Sequence, residues 1–139
     1  MSIYQRLTRH SKHELDQKRK QLGFAIKSLE ASNQELKNLE AQRMSELELS
    51  SQVPDLQAAL GGFLDKNKQK KNEATVKTKE TKERIQKLER DLYDAFQTHM
   101  RYESAASSHQ LAADNELKLK TQAALDELGL QKHFREKKL

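Results

Sequence analysis

The chain has 139 residues and a formal net charge of +5, with 26 Lys and Arg residues against 21 Asp and Glu residues. Apolar residues make up only 35% of it, against about 45–50% in an ordinary globular domain, so we do not expect one compact core. Cysteine is absent, which excludes disulfides, thiolate metal sites and a cysteine nucleophile. No apolar run reaches the length of a membrane span or of a signal peptide, so we expect a cytoplasmic protein without membrane insertion.

The composition favours helices over strands. Ala, Glu, Lys, Leu and Arg together make up a little over half of the chain, which is typical of long helices and coiled coils. The β-branched residues valine and isoleucine are rare, whereas leucine is abundant. We therefore predict an all-α fold, with wholesale disorder as the weaker alternative.

The first predicted helix covers about residues 3–49. Its leucines repeat every seven residues and so lie along one side of the helix, in a narrow stripe that we call the seam. We assign the intervening seam positions to the residues four places after each leucine. The leucines are Leu15, Leu22, Leu29 and Leu36, and the intervening residues are Arg19, Ile26 and Asn33. Gly23 is isolated and need not break this helix.

A turn region is predicted over about residues 50–62. It contains the only proline, Pro54, and the pair Gly61 and Gly62. Large apolar residues lie in or beside this turn, namely Leu56, Leu60, Phe63 and Leu64. They form either a patch that binds a partner or local packing that closes the end of the coil.

The second predicted helix covers about residues 63–137, with a start near residue 54 as the alternative. Its seam follows alternating steps of three and four residues. The members are Ile85, Leu88, Leu92, Ala95, His99, Tyr102, Ala106 and His109. Farther along, Leu117, Ala124 and Leu128 continue the pattern with a shifted phase, which indicates a stutter.

One turn between two seamed helices predicts an antiparallel two-helix coiled-coil hairpin with long unequal arms. Both termini then lie at one end, and the seam from Leu15 to Leu36 packs near the later half of the second helix. Because the arms differ in length, part of the second helix is unpaired. We place that part at Lys66–Arg84, which is basic and nearly free of apolar residues.

No pattern in the sequence indicates catalysis, so we expect a protein that is not an enzyme and that has no cofactor. The sharpest metal candidate is the pair His10 and His13, whose spacing places both rings on one helical face. Their surroundings are cationic, so we interpret them as exposed histidines and expect no metal site.

Basic residues cluster near both ends of the chain. Arg6, Arg9, Lys12 and Arg19 lie near the beginning, and Lys132 and Arg135 lie near the end. The hairpin is expected to bring both clusters together into one positive end, which either docks on an acidic partner or nucleic acid or keeps the protein soluble. We do not expect nucleic-acid binding, because the first twenty residues carry too few consecutive arginines for a basic-leucine-zipper reader.

Three stretches of the sequence are similar to one known family. They are LTRHSKHELDQKRKQLGFAIKSLE, QKLERDLYDAFQTHMRYE and LKTQAALDELGLQKH, in that order. They resemble the FliJ family of flagellar type III export proteins, in its alphaproteobacterial form. The matching positions are the early pattern Asp16, Lys18, Arg19, Gln21 and Leu22, then Tyr102 and Glu103, then Leu125, Asp126, Glu127 and Leu128. The stretch from residue 50 to residue 84 matches no pattern of the family.

The resemblance implies an antiparallel coiled coil shaped like the central stalk of rotary ATPases. Such proteins insert the end that carries both termini into the hexameric ring of the flagellar export ATPase, contact the membrane protein of the export gate and help to recycle export chaperones. Under this interpretation the six basic residues above dock in the ring, and Leu60, Phe63 and Leu64 contact the gate's cytoplasmic domain. The protein would then lie in the cytoplasm, peripheral to the membrane at the flagellar base.

Two alternatives remain open. The equivalent stalk protein of a virulence type III secretion system would have the same shape and role. A self-associating structural coiled coil would use the seam between chains instead of within one chain, but a continuous parallel dimer has no need of Pro54 in the middle of its sequence.

Overall fold

The computed structural model describes residues 2–137, of which nearly all are helical. Helix α1 covers Ile3–Gln52, a single 3₁₀ turn covers Pro54–Leu56, and helix α2 covers Gln57–Lys137. The all-α hairpin with unequal arms is therefore confirmed, with 50 residues in α1 and 81 in α2. The chain forms two compact units, and each contains part of both helices.

The start of α1 is fixed by a reciprocal cap. The Ser2 hydroxyl accepts a hydrogen bond from the Gln5 backbone N–H at 3.2 Å, and the Gln5 side chain accepts one from the Ser2 N–H at 3.3 Å. This capping box satisfies two donors that a helix otherwise leaves without partners at its first turn. The sequence before the first leucine therefore specifies where α1 begins.

The connection between the helices is shorter than the predicted turn of residues 50–62. Only Val53 and the 3₁₀ turn interrupt the helices, and Pro54 occupies the first position of that turn, where its missing N–H costs nothing. Gly61 and Gly62 lie inside α2 with helical backbone. They do not break it because Ala58, Ala59 and Leu60 precede them and favour helix strongly.

The larger unit, Leu15–Ala95, contains the hairpin connection and an antiparallel pairing of α1 with α2. The Asn67 side-chain amide donates to the Leu39 carbonyl at 3.0 Å, and Lys71 Nζ lies 3.4 Å from a carboxylate oxygen of Glu40. These contacts show that the helices are antiparallel, so moving one residue toward the N-terminus of α1 corresponds to moving one residue toward the C-terminus of α2. The register sets Leu36 opposite about Ala74 and Ala25 opposite about Ile85.

The seam of α1 differs from the predicted one at its intervening positions. Ala25 and Ser32, three residues after a leucine, are buried, whereas Arg19, Ile26 and Asn33 are exposed. The leucine positions of the prediction are retained, with Leu15 buried and Leu22, Leu29 and Leu36 half-buried. Small side chains at the intervening positions allow the two helices to approach closely, so packing selects them over the larger Ile26.

The basic stretch Lys66–Arg84 is paired with α1, so its assignment as the unpaired part of α2 was wrong. Asn67, Ala74 and Thr78 within it are buried. The seam from Leu15 to Leu36 correspondingly packs on the first half of α2, not on its later half. Because pairing starts at the turn and α1 is the shorter helix, the far end of α2 is the part that has no partner helix among residues 2–137.

The smaller unit combines Met1–Glu14 with Phe96–Leu139. Within its described residues, Ser11 Oγ lies 2.9 Å from His99 Nδ1, and the rings of Tyr4 and His109 are 5.0 Å apart. The predicted seam positions His99, Tyr102 and Ala106 are half-buried, and His109 is exposed apart from its contact with Tyr4. The start of α1 is thus level with His109, and side chains 107–136 of α2 are exposed.

Candidate partner-binding surfaces

The basic residues at the start of α1 lie on the exposed part of the smaller unit. Arg9 and Lys12 are exposed on either side of Ser11, which is buried against α2. Arg6 is one turn earlier and is also exposed. Helical spacing therefore presents these three cations to solvent while the residues between them hold α1 on α2.

The basic residues near the end of α2 are not brought to those of α1. Lys132 and Arg135 are exposed, and Lys132 follows His109 by 23 residues of continuous helix. At 1.5 Å per residue this is a separation of about 35 Å along α2. The expected single positive end is therefore wrong in its geometry, because α2 extends far beyond the start of α1.

Arg19 belongs to the larger unit and has a local partner. Its guanidinium lies 3.6 Å from a carboxylate oxygen of Asp16, one turn earlier in α1, and both side chains are about half exposed, at 58% and 49%. Such an exposed pair contributes little to stability. Arg19 therefore remains accessible to a partner, with its charge partly compensated by Asp16.

The apolar residues at the turn divide into two groups. Leu60, Phe63 and Leu64 are half-buried, and Phe63 lines a shallow groove with Ala41 and Ser45 of α1. Leu49, Val53 and Leu56 are more exposed, at 45%, 42% and 41%. The local-packing interpretation thus fits the first group in part. We call the second group the turn patch.

The last part of α2 is the most exposed apolar surface among the described residues of the smaller unit, and the sequence pattern did not predict this exposure. Its large apolar residues are about 60–70% exposed: Leu111, Leu117, Leu119, Leu125, Leu128, Leu130 and Phe134. We call residues 110–136 the exposed α2 segment. The available signal was the difference in arm length after a single turn, combined with the Ser2–Gln5 capping pattern.

One cluster in the smaller unit combines the side-chain types of a hydrolytic triad without being able to act as one. His99 contacts Ser11 through Nδ1 at 2.9 Å and Glu103 through Nε2 at 3.2 Å. Ser11 is only 4% exposed and also donates to the Thr8 carbonyl at 2.9 Å. A substrate cannot reach a hydroxyl that is covered by the opposite helix, so this contact serves to pair the helices.

No metal or membrane site is found among residues 2–137. His10 and His13 are exposed on α1, and no group of three or more His, Asp or Glu side chains there could hold a metal ion. In the same residues, neither helix has a stretch apolar enough to cross a bilayer.

Comparison with known proteins gives no relative: no protein-family model, no curated protein and no solved structure matches the chain.

Proposed function

We propose that the chain is a non-enzymatic component of the bacterial flagellar type III export apparatus, acting as the central stalk and regulator of the export ATPase ring. The proposal rests on the resemblance of three sequence stretches to the FliJ family and on the hairpin with unequal arms. In this role the protein lies in the cytoplasm at the flagellar base, links the ring to the export gate and escorts export chaperones.

Within the hairpin, the exposed α2 segment is the feature that supports docking in a ring. It is a single helix with seven large exposed apolar residues and the basic residues Lys132 and Arg135. A lone helix is about 10–12 Å in diameter with its side chains, so it is narrower than a helix pair and fits a narrower lumen. Its apolar residues give it surface to bury there, and its basic residues favour an acidic lining.

The intrachain seam argues against the structural coiled coil as an alternative. In both units the seam of α1 is already occupied by α2 of the same chain, through Asn67 and Leu39 in one and Ser11 and His99 in the other. A coiled coil formed between chains along the whole sequence would have to break these contacts. The stalk role uses the seam as the structure has it.

Charge reversal tests the docking of the ring. We expect Arg or Lys to Glu substitutions at the six basic positions to abolish co-purification with the export ATPase and stimulation of its hydrolysis. The six positions are Arg6, Arg9, Lys12, Arg19, Lys132 and Arg135. The matched control reverses six exposed lysines of α2 in the larger unit, Lys66, Lys70, Lys77, Lys79, Lys82 and Lys87, and so makes the same change in net charge.

Two partial variants separate the two helices. One reverses Arg6, Arg9 and Lys12 at the start of α1, and the other reverses only Lys132 and Arg135 in the exposed α2 segment. The two groups are about 35 Å apart along α2, so one group can dock without the other. Of the two variants, we expect only the one with Lys132 and Arg135 reversed to weaken docking strongly. Undiminished ATPase binding by the six-residue variant, or an equal loss with the control set, would count against the proposal.

The turn patch is the candidate contact with the export gate. Val53→Ser together with Leu56→Ser removes apolar surface at the turn, and we expect it to reduce binding to the gate's cytoplasmic domain while ATPase binding persists. Val76→Ser, at a valine of α2 that is 55% exposed against 42% for Val53, is the control. Binding of the gate domain that survives the double substitution would exclude the turn patch from this contact. Leu60, Phe63 and Leu64 would then be tested in turn.

A further inference from the structure

The exposed α2 segment carries a seam of its own that continues the intrachain one. After Ala106 the next two seam positions are each four residues farther along the chain. The later seam positions are separated by alternating steps of three and four residues. The positions are Gln110, Asp114, Leu117, Thr121, Ala124, Leu128, Gln131 and Arg135. This change in spacing occurs near His109, which lies opposite the start of α1. The seam of α2 therefore continues beyond the part that α1 covers.

We propose that this segment pairs with the same segment of a second copy of the chain, in antiparallel orientation. The two-fold axis passes between Gln122 and Ala123. Leu117 then packs on Leu128 of the second copy, and Thr121 packs on Ala124 of the second copy. Each contact occurs twice by symmetry, as in any isologous interface.

The seam is symmetric about this axis in both spacing and side-chain size. Leu117 and Leu128 are equally far from it, and they are similarly exposed, at 65% and 62%. The small residues Thr121 and Ala124 lie between them. A helix with this arrangement is its own complement when it is reversed, so a second copy supplies the surface that the seam lacks.

Charge selects the antiparallel over the parallel orientation. In a parallel dimer in register, Asp114 faces Asp114 and Arg135 faces Arg135 at seam positions, which is repulsive. In the antiparallel pair, Arg135 faces the neutral Gln110 of the second copy, and Asp114 comes beside Lys132. Lys120 and Glu127 flank the seam and face each other across it, twice per dimer.

The length of the available groove also fits a second copy. With the axis between residues 122 and 123, Arg135 of the second copy comes level with Gln110. The part of α2 that α1 covers ends beside His109, where the ring of Tyr4 lies 5.0 Å from that histidine. The second copy thus occupies α2 over about 37 Å, up to the point where α1 takes over. This association concerns the free protein and does not depend on the proposed function.

Disulfide cross-linking tests the orientation, because the chain has no cysteine of its own. The full chain is made as Asp114→Cys and, separately, as Gln131→Cys, which leaves both seam leucines in place. In the antiparallel pair these two positions face each other, whereas two copies of residue 114 lie about 25 Å apart. We expect a covalent dimer when the two proteins are mixed and oxidised mildly, at least tenfold more than with either protein alone.

Two outcomes of this experiment overturn the proposal. One is the absence of a covalent dimer in the mixture, at the same protein concentrations as in the sedimentation experiment described next. The other is equal cross-linking of either protein alone, which indicates parallel pairing or random collision.

Sedimentation equilibrium on full-length variants tests which face of the segment is used. Leu117→Ser with Leu128→Ser removes the seam leucines, and we expect the dimer to weaken at least tenfold. Leu119→Ser with Leu130→Ser is the control, because these leucines are as exposed but lie on the opposite face of α2. A monomeric unsubstituted chain at all concentrations, or an equal loss of association in the control, overturns the proposal.

Discussion

At the scale of single residues, polar and small side chains determine how the two helices meet. Asn67 is 4% exposed and bonds to the Leu39 carbonyl, and Ser11 bonds to His99 in the other unit. A buried polar group is tolerated only in the register that provides its partner. We therefore expect these residues to contribute more to the specificity of the pairing than to its strength.

The contact between Ser11 and His99 gives a prediction about stability. Ser11→Ala leaves His99 Nδ1 without its cross-helix partner, and we expect a loss of about 1–2 kcal/mol in the free energy of unfolding. Adding His99→Leu removes the second polar group, and we expect the double variant to recover most of that loss. Urea unfolding followed by circular dichroism measures both.

The control for this prediction is Ser107→Ala, at an exposed serine of α2 in the same unit. We expect its effect to stay within about 0.5 kcal/mol. The contact with His99 has no energetic role if Ser11→Ala is as mild as the control. The prediction is also contradicted if the double variant loses as much free energy of unfolding as Ser11→Ala and His99→Leu lose together. An apolar pair would then not replace the polar pair.

At the scale of elements, pairing follows from a match of large and small residues across the helices. Within the larger unit, the register sets Leu36 opposite about Ala74 and Ala25 opposite about Ile85. Ala25 and Ala74 are buried, at 5% and 4% exposure. Leucine against alanine fills the seam at close approach of the helices, whereas leucine against leucine would push them apart.

A prediction about packing follows from this match. Ala25→Leu introduces a large side chain opposite Ile85, and we expect the free energy of unfolding to fall by about 1–3 kcal/mol. Ala31→Leu, at an exposed alanine of the same helix, provides the control and is expected to be nearly neutral. Equal unfolding midpoints for the two variants in urea would show that Ala25 does not lie in the tight part of the seam.

The glycine pair near the turn gives a second prediction at this scale. Gly61 and Gly62 lie inside α2, and an added Cβ would meet nothing within 4 Å at either position. We expect Gly61→Ala with Gly62→Ala to stabilise the chain by about 0.5–1 kcal/mol per residue, because glycine costs a helix that much. Thermal unfolding followed by circular dichroism measures the effect, with Gly23→Ala in α1 as the reference.

This glycine experiment distinguishes the structure from the turn of residues 50–62 that the sequence predicted. If the two glycines served a turn, alanine there would be neutral or destabilising, because turn positions with positive φ penalise a Cβ. A loss of stability in the double variant, against a gain at Gly23, would therefore move the start of α2 beyond Gly62.

The sequence was sufficient for the fold class and the leucine positions, because both follow from strong periodic signals. The seven-residue spacing of Leu15 and Leu22 identifies one side of α1 whatever the helix packs against. Ser32, Asn67 and Thr78 are also buried in the seam, but nothing in their chemistry marks them as core residues. Their role depends on the register, which a single sequence does not specify when most seam residues are small or polar.

At the scale of the whole molecule, the difference in helix length determines which part of α2 is left exposed. The sequence predicted unequal arms, but hydropathy alone assigned the unpaired part to the polar stretch 66–84. In the described part of the chain the exposed α2 segment is the unpaired part, and it carries far more apolar surface than that stretch. Pairing from the turn outward determines which residues remain, so composition is a poor guide to the unpaired part.

The two proposals for the exposed α2 segment cannot both be satisfied by one molecule at one time. A segment that is covered by a second copy has its seam leucines buried, and a paired helix is wider than a single one. Self-association would therefore withhold the segment from a ring. Because both states bury the same surface, the balance between them is set by the concentration of each partner.

A chain with both Asp114→Cys and Gln131→Cys tests this competition. Oxidation locks the antiparallel pair with two symmetric disulfides, and we expect the locked protein to lose stimulation of the export ATPase. Reduction of the same sample should restore stimulation, so the protein is its own matched control. Undiminished stimulation by a fully cross-linked sample would place ring docking elsewhere, with Arg6, Arg9 and Lys12 at the start of α1 as the remaining candidates. It would leave the pairing of the two copies intact, because the disulfide itself reports that pairing.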